Sequence, residues 1–138
     1  MCSVTDHAAA WDEDYRRRGN LWGGAVAPLP DIPAGAAVLE LGCGNGKTLS
    51  ALARHSSGVA AIDISSRAVA LARQRPDTAS VHLAVADARH LPFCGETFDA
   101  VFIVHLAGHL TDPGRRALAS EVPRVHLPGG TTFFRGVP

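Results

Sequence analysis

The sequence has little cysteine and no net charge, and each of these excludes a class of function. The three cysteines, Cys2, Cys43 and Cys94, are odd in number and widely spaced. They form no zinc-ligand or disulfide pattern and are typical of a reduced, cytoplasmic protein. Lys47 is the one lysine among 13 basic residues, which 13 acidic residues balance to zero net charge. Such a chain lacks the electrostatic footprint of a general nucleic-acid binder.

Long hydrophobic runs are also absent. No apolar stretch approaches the roughly 20 residues that a membrane span needs. The first 14 residues carry four acidic side chains and no basic start followed by an apolar run, so we expect no secretory signal. With 46% hydrophobic and 19% charged residues, the composition is that of a globular protein. The length predicts one domain over residues 1–138.

Strand-like and helix-like segments alternate along the chain. Residues 1–35 are predicted to form a short helix, Ala8 to Arg18, and a Gly/Pro-rich arm, and residues 36–135 the core. Five short apolar segments are predicted strands: 38–41, 59–64, 81–86, 98–104 and 131–134. Helices are predicted over 47–54, over 67–73 with Ser65 or Ser66 as N-cap, and from Pro113 with Asp112 as N-cap. This alternation indicates an α/β fold with a mostly parallel, Rossmann-like sheet.

Distinctive residues follow four of the predicted strands. A glycine-rich loop, 42–46, follows the first strand, and Asp63, Asp87 and His105 stand at the ends of the next three. In open parallel sheets, ligands bind outside the carboxyl ends of the strands. We therefore expect these four places to lie on one rim.

The glycine loop fits a ligand that approaches bare backbone at a helix N-terminus. Gly46-Lys47-Thr48 matches the end of an NTPase phosphate loop, but the first glycine of that pattern would fall at Leu41. A dinucleotide loop, G-x-G-x-x-G, would need its third glycine at Lys47. The loop as it stands, Glu40-Leu41-Gly42-Cys43-Gly44-Asn45-Gly46, reads E-x-G-x-G-x-G.

With this loop and three later segments, the sequence resembles the class I S-adenosylmethionine-dependent methyltransferases of the small-molecule type. The matching segments are 38–46, 61–65, 86–93 and 98–102, and the turn 124–130 is also similar. The resemblance covers about residues 36 to 135. It implies the sheet order 3-2-1-4-5, S-adenosylmethionine as cofactor and a small-molecule methyl acceptor.

The resemblance also implies a set of cofactor-binding residues: Glu40, Gly42, Cys43, Gly44, Asn45, Gly46, Asp63, Ile64, Asp87, Ala88, His105 and Tyr15. Glu40 is expected to hold the cofactor's ammonium group, and Asp63 to accept hydrogen bonds from both ribose hydroxyls. Asp87 is expected to receive the adenine amino group, with the backbone of Ala88 beside the ring and Ile64 against its face. Residues 104–106 would line the methionine end.

Simpler interpretations of these residues stay open. Glu40 could be a partly exposed strand residue, and Asp63 and Asp87 could cap turns or helices. An acid at Asp63 would also suit a dinucleotide site. His105 and His109 have the spacing of a helical metal pair, but no helix or third ligand is indicated there, so we expect a loop and no metal.

The residues before the first strand offer two interpretations. Trp11, Tyr15 and Trp22 could form part of a lid over the cofactor. They could equally well pack the N-terminal arm onto the body of the domain. Arg16 to Arg18 are typical of a solvated helix face.

Catalysis of methyl transfer mainly requires nucleophile and methyl group to be held in line, with orientation worth on the order of 7–11 kcal/mol. His105 is the predicted catalytic base, because the unperturbed pKa of histidine is about 6.5. His109 and Tyr15 are the other candidates.

The sequence also departs from the family pattern. The family's sheet has seven strands, whereas five are found here, so we expect a truncated version whose fifth-strand edge, with Phe133 and Phe134, invites self-association. Pro123 is expected to end or kink the last helix near Val122. The alternative functions are a non-catalytic S-adenosylmethionine-binding module, or truncated remnant, and a dinucleotide-binding oxidoreductase, which Lys47 disfavours. Neither nucleic acid nor a membrane is an expected partner.

Overall fold

The computed structural model describes residues 32–33, 35–44, 46–56, 58–104, 106 and 110–135. The predicted helix 8–18 and the lid-like arm lie outside the described residues. Five strands, three α-helices and one 3-10 turn follow in this order: β1 (Ala37–Leu41), α1 (Lys47–His55), β2 (Gly58–Asp63), α2 (Ser66–Arg73), the 3-10 turn Pro76–Thr78, β3 (His82–Val85), β4 (Phe98–Val104), α3 (Asp112–Val125) and β5 (His126–Arg135).

The strands form one parallel sheet in the order β3-β2-β1-β4-β5, which confirms the predicted topology. β1 lies at the centre, with Leu39 paired to Ala60 of β2 and to Val101 of β4. A central strand covered on both faces is expected to be apolar along most of its length, and in β1 only Glu40 departs from this. Accordingly, β1 is buried from its second residue to its last.

Alternate residues of the strands face two separate cores, as the period of a strand requires. One core joins Leu39, Leu41 and Val101 to α3 through Leu118 and Val122. The other joins strand residues of the opposite face to α1 and α2: Val38, Val59, Ala61, Phe102, Leu49, Leu52 and Ala72. The sheet is thus a middle layer between α3 on one side and α1 with α2 on the other.

The predicted N-cap of α2 is confirmed, and that of α3 is not. Ser65 caps α2, because its hydroxyl accepts a hydrogen bond from the backbone N–H of Ala68 at 3.1 Å. The N-cap of α3 is Thr111, whose hydroxyl accepts from the N–H of Gly114 at 3.3 Å. The prediction that Asp112 is the cap is wrong: its carboxylate lies inside the first turn and pairs with Arg115 at 2.9 Å.

Pro123 was expected to end or kink the last helix near Val122. The helix does not end there, since α3 continues through Pro123 to Val125. An interior proline disfavours a helix by about 3 kcal/mol. Here tertiary contacts hold the last turn. The carbonyls of Arg124 and Val125 accept hydrogen bonds from the N–H groups of Glu96 and Thr97 at 2.9 and 2.8 Å, and the side chain of Val125 is fully buried.

β5 is longer than the predicted segment 131–134 because a bulge interrupts it. Phe98 pairs with His126 and Ala100 with Thr131, so residues 127–130 lie opposite the single residue Asp99. Gly129 has a φ of +79°, a conformation that favours glycine. Beyond the bulge, Phe133 stacks on Phe102 with ring centroids 4.7 Å apart, whereas Phe134 is 61% exposed.

Candidate ligand-binding site

The glycine loop folds back over the end of β2. The N–H groups of Gly42 and Cys43 both donate to the carbonyl of Ile62, at 2.9 and 3.0 Å. Gly42, Gly44 and Gly46 have φ angles of +74°, +54° and +92°, which side-chain-bearing residues rarely adopt. These turns open the loop's backbone at the carboxyl edge of the sheet. Asn45 lies outside the described residues.

Two glycines of the loop also permit close packing. A Cβ on Gly46 would lie 3.0 Å from Cβ of Ala72, so glycine lets the start of α1 approach α2. A Cβ on Gly42 would meet the side chain of Leu106 at 3.4 Å. The segment after β4 therefore reaches the loop after β1. His105, Tyr15 and His109 lie outside the described residues.

Asp63, the last residue of β2, connects three of the elements at this edge. Its Oδ2 accepts a hydrogen bond from the N–H of Gly44 at 2.9 Å, and its Oδ1 accepts from the N–H of Ser65 at 2.9 Å. Its carbonyl accepts from the N–H of Ala86 at 2.9 Å. The contact to Ser65 is of the Asx-turn kind that aspartate favours. The contacts to Gly44 and Ala86 bring the glycine loop and the end of β3 together.

Asp87 lies just beyond β3 and is held by Arg89, two residues further on. Its Oδ1 accepts from the backbone N–H of Arg89 at 2.9 Å and from Nε at 3.0 Å. Its Oδ2 accepts from Nε at 3.0 Å and from Nη2 at 2.8 Å. Burial acts to raise the pKa of Asp87, but the hydrogen bonds and charge of Arg89 outweigh it, so the pKa lies below its usual value.

Glu40 on β1 differs from Asp87, because one of its carboxylate oxygens lacks a donor within the described part of the chain. Its side chain is buried, and Oε2 has no hydrogen-bond partner among the described residues. Burial, and then the negative charge of Asp63, raise the pKa of Glu40 well above its usual value. The interpretation of Glu40 as a partly exposed strand residue is therefore wrong. A buried carboxylate oxygen without a partner is unfavourable unless the group is protonated or a ligand supplies a donor.

The remaining predicted residues lie at the same edge. Ile64 is half-buried and Ala88 is buried. Cys43 is also buried, and its burial, with the charges of Glu40 and Asp63, raises the pKa of its thiol far above the usual range. This thiol is therefore protonated and unreactive.

Two arginines that sequence reasoning missed shape the loop after β3. One is Arg89 on Asp87; the other is Arg124 of α3. Nη1 and Nη2 of Arg124 donate to the carbonyls of Phe93 and Leu91 at 2.8 and 3.0 Å, while Nε donates to Glu121 at 2.6 Å. The loop that begins with Asp87 is thus tied to α3 at its far end. The i, i+2 spacing of Asp87 and Arg89 is a signal that could have indicated their pairing.

Hydrogen bonds to Asp63 thus join the glycine loop to the end of β3, and the charge of Asp63 acts on Glu40. Asp87 lies two residues beyond β3, and its share in one site with these residues stays a prediction. Across the described residues, no cluster of three or more His, Cys, Asp or Glu side chains is arranged to hold a metal ion. In the same part of the chain, none of the helices has both the length and the apolar character of a membrane span.

Comparison with known proteins places this edge in context. The sequence profile of a family described as "Methyltransferase domain" matches residues 38–130. The phthiotriol/phenolphthiotriol dimycocerosates methyltransferase of Mycobacterium tuberculosis is 37% identical over 123 residues, which are 88% of this chain and 44% of the relative. The fatty-acid O-methyltransferase of Mycolicibacterium smegmatis is 38% identical over 102 residues, 72% of this chain and 36% of that protein.

A solved structure shows the same architecture. The SAM-dependent methyltransferase of Methanosarcina mazei superimposes with a TM-score of 0.66 at 28% identity, over 75% of this chain and 53% of its own. The chain spans less than half the length of the curated relatives named above, 36% to 44%.

Proposed function

The chain belongs to the class I S-adenosylmethionine-dependent methyltransferases, and from this premise we propose that it binds S-adenosylmethionine at the carboxyl edge of its sheet and transfers the methyl group to a small molecule. The observation that carries the proposal is the hydrogen bond from Gly44 N–H to Asp63, beside the unpartnered Oε2 of Glu40. It joins the glycine loop to an acid at the neighbouring strand end.

The methionine end of the cofactor fits the loop 42–46. Its ammonium group would supply the donor that Oε2 of Glu40 lacks, and a cation beside that carboxylate would favour its ionised form. The positive φ angles of Gly42, Gly44 and Gly46 form the tight turns of the loop, whose backbone would take the carboxylate end. The orphaned oxygen therefore supports a cationic ligand over a phosphate-bearing one. Cys43 and Asn45 complete the proposed loop contacts.

The nucleoside end fits the ends of β2 and β3. Asp63 is the proposed acceptor for the ribose hydroxyls, since hydrogen bonds to an ionised carboxylate are strong and short. Asp87 is the proposed acceptor for the adenine amino group, with Ala88 beside the ring. Ile64, which is half-buried next to Asp63, supplies an apolar surface for the base.

The bound cofactor would supply a methyl group already activated on a sulfonium, so the protein's task is chiefly orientation. The acceptor's nitrogen or oxygen must lie in line with the methyl carbon and the sulfur. The proton of the acceptor's nitrogen or oxygen would pass to His105, the proposed base. His109 and Tyr15 are the other candidates for this role. Replacing His105→Ala should lower turnover and remove its dependence on pH near neutrality; turnover unchanged across pH would exclude this role.

Calorimetry tests the binding proposal. S-adenosylhomocysteine should bind, whereas NAD and ATP should not, and Asp63→Ala should weaken binding by roughly 100-fold or more. Asp99→Ala is the matched control. Asp99 accepts a hydrogen bond of the same 2.9 Å length, from the N–H of Ala37, but at the amino edge of the sheet. Equal losses in both variants, or binding of NAD instead, would contradict the proposal.

A methyl-release assay with a panel of acceptors separates the two remaining functions. Turnover with any small-molecule acceptor supports the enzyme. Binding of S-adenosylhomocysteine without turnover across the panel supports the alternative, a non-catalytic S-adenosylmethionine-binding module. We further propose a cytoplasmic location, for which the free thiols of Cys43 and Cys94 are the support.

We also propose that the free edge of β5 pairs with a second copy of the chain. Among the residues that the structure describes, its neighbour in the sheet is β4 alone. Beyond the bulge, residues 131–134 include no charged residue and no proline, which are the residues that usually protect an edge strand from pairing. The exposed ring of Phe134 adds apolar surface at the same place.

A further inference from the structure

Asp87, the proposed acceptor of the adenine amino group, is already occupied. A carboxylate offers about four acceptor positions. Arg89 contacts the two oxygens four times at 3.0 Å or less: through its backbone N–H, twice through Nε and once through Nη2. Because the single hydrogen of Nε is shared between the two oxygens, three N–H groups of Arg89 occupy the carboxylate. Both oxygens to which an amino group could donate are thus already hydrogen-bonded within the protein.

The pair is local, so it can open without a rearrangement of the fold. Asp87 and Arg89 belong to one turn, closed by a hydrogen bond from the N–H of His90 to the carbonyl of Asp87 at 3.0 Å. The side chains are 14% and 20% exposed, which places the guanidinium at the edge of solvent. A Cβ on Gly114 would lie 3.4 Å from Cδ of Arg89, so the stem passes close to the start of α3.

We propose that Arg89 is a specificity-determining residue of the nucleobase subsite: its guanidinium is an internal competitor that the amino group of adenine must displace from Asp87. This inference rests on the proposed cofactor site. The exchange replaces hydrogen bonds in which donor and acceptor carry opposite charges by one from a neutral amine to the same carboxylate, so the attraction between the two charges is lost. Arg89 therefore lowers the affinity for every 6-amino nucleoside ligand.

The same residue also changes which base is preferred. A 6-oxo base, as in S-inosylhomocysteine, presents an acceptor where adenine presents a donor. The guanidinium of Arg89 can donate to that oxygen, whereas Asp87 cannot. With Arg89 present, the site therefore discriminates less between the two bases than Asp87 would alone.

The experiment measures dissociation constants for S-adenosylhomocysteine and S-inosylhomocysteine with three proteins: wild type, Arg89→Leu and Arg115→Leu. Arg89→Leu should bind S-adenosylhomocysteine more tightly, on the order of tenfold, and S-inosylhomocysteine less tightly. Arg115→Leu removes another arginine–carboxylate pair, with Asp112 on the exposed face of α3, and should match wild type for both ligands.

Weaker or unchanged binding of S-adenosylhomocysteine by Arg89→Leu, with wild type binding normally, overturns this inference and leaves the proposed function standing. Failure of both proteins to bind overturns the proposed function and this inference together.

A measurement on wild type covers the case in which Arg89→Leu does not fold. The 15N-coupled Nε–H signal of Arg89 should be protected from exchange with water in the free protein. It should shift and exchange faster as S-adenosylhomocysteine is added. An Nε–H signal that keeps its position and protection in the saturated complex overturns the inference.

Discussion

The ends of β1 and β3 each carry a carboxylate with little access to water, and the two are set up in opposite ways. Oε2 of Glu40 has no hydrogen-bond partner among the described residues, whereas Asp87 receives four contacts from Arg89. The pKa of Glu40 is raised and that of Asp87 is lowered. Burial acts in the same direction on both, so the supply of donors decides the outcome.

The difference between Glu40 and Asp87 also indicates what each end of the proposed ligand would contribute to binding. At Glu40 the ligand would bring a cation to a group that lacks a donor. At Asp87 it would bring a neutral amine to a group that already has a cation. The methionine end of the ligand is therefore expected to contribute most to the binding free energy, and the base least. The first two of the following changes test the opposite pKa shifts on which this expectation rests.

The largest effect is expected for Glu40→Gln. In the unfolded chain Glu40 ionises above a pH of about 4.3, but in the folded chain it keeps its proton to higher pH. Its contribution therefore lowers the free energy of unfolding as pH rises above that value. Urea unfolding should show the variant to be more stable than wild type by about 2 kcal/mol at pH 8, and equal to it near pH 4.

Glu96→Gln is the control for this titration, since Glu96 is exposed in the turn before β4. Its unfolding curve should follow wild type at both pH values. If Glu40→Gln and wild type differ by the same amount at pH 4 and pH 8, Glu40 is not the titrating group.

The second effect concerns the Asp87–Arg89 pair and has the opposite sign with pH. Because the pKa of Asp87 is lowered, the pair stabilises the folded state at neutral pH, and this is lost as pH falls through the folded-state pKa. A double-mutant cycle of Asp87→Asn and Arg89→Leu should give a coupling of about 1 kcal/mol at pH 7. The coupling should disappear in strong acid. A coupling that is constant with pH would contradict the ionic nature of the pair.

A smaller effect is expected for Arg124→Met, which removes the far attachment of the loop that carries Asp87. The side chain contributes hydrogen bonds to the carbonyls of Leu91 and Phe93. Its loss should reduce the free energy of unfolding by about 1 kcal/mol. Hydrogen exchange should accelerate at the N–H groups of Glu96 and Thr97, which bond to the end of α3. Arg115→Met, on the exposed face of α3, should leave both rates unchanged.

The smallest effect concerns the two edge strands of the sheet, β5 and β3. Phe134→Lys on β5 should weaken self-association several-fold in sedimentation equilibrium, because a charge at an edge strand disfavours pairing. Val85→Lys on β3 is the matched control, since Val85 is also an exposed apolar residue of an edge strand, 52% exposed. A wild-type protein that stays monomeric at high concentration would contradict the proposal.

The features that the sequence predicted are those with a local cause. Short apolar strands and a glycine-rich turn specify the order of elements almost by themselves, and the sheet order followed from the family resemblance. Pro123 was misjudged because hydrogen bonds from the turn before β4 hold the last turn of α3. Asp112 was misjudged because Thr111 and Asp112 are both good capping residues, and sequence alone does not rank neighbours.

The sequence predicted where the site residues lie relative to the strands, but not which contacts their side chains make. The loop 42–46, Asp63 and Asp87 meet at one edge, as expected from their positions after strands. The role of Arg124 depends on where its long side chain turns, which no spacing rule specifies, and the isolation of Oε2 of Glu40 depends on the surrounding packing. That the loop 42–46, Asp63 and Asp87 bind one ligand stays a prediction, as do the roles of Tyr15, Asn45 and His105.

The bulge in β5 makes the strand tolerant of changes in length at one place and intolerant at another. Residues 127–130 lie opposite Asp99 alone, and pairing resumes where Thr131 meets Ala100, two residues before Phe133 stacks on Phe102. A residue deleted within 128–130 can be absorbed by a smaller bulge, with the aromatic stack holding the register. A residue deleted at Thr131 or Thr132 would instead exchange the faces of Phe133 and Phe134. Variation in chain length among natural versions of this domain should therefore accumulate on the amino-terminal side of Thr131.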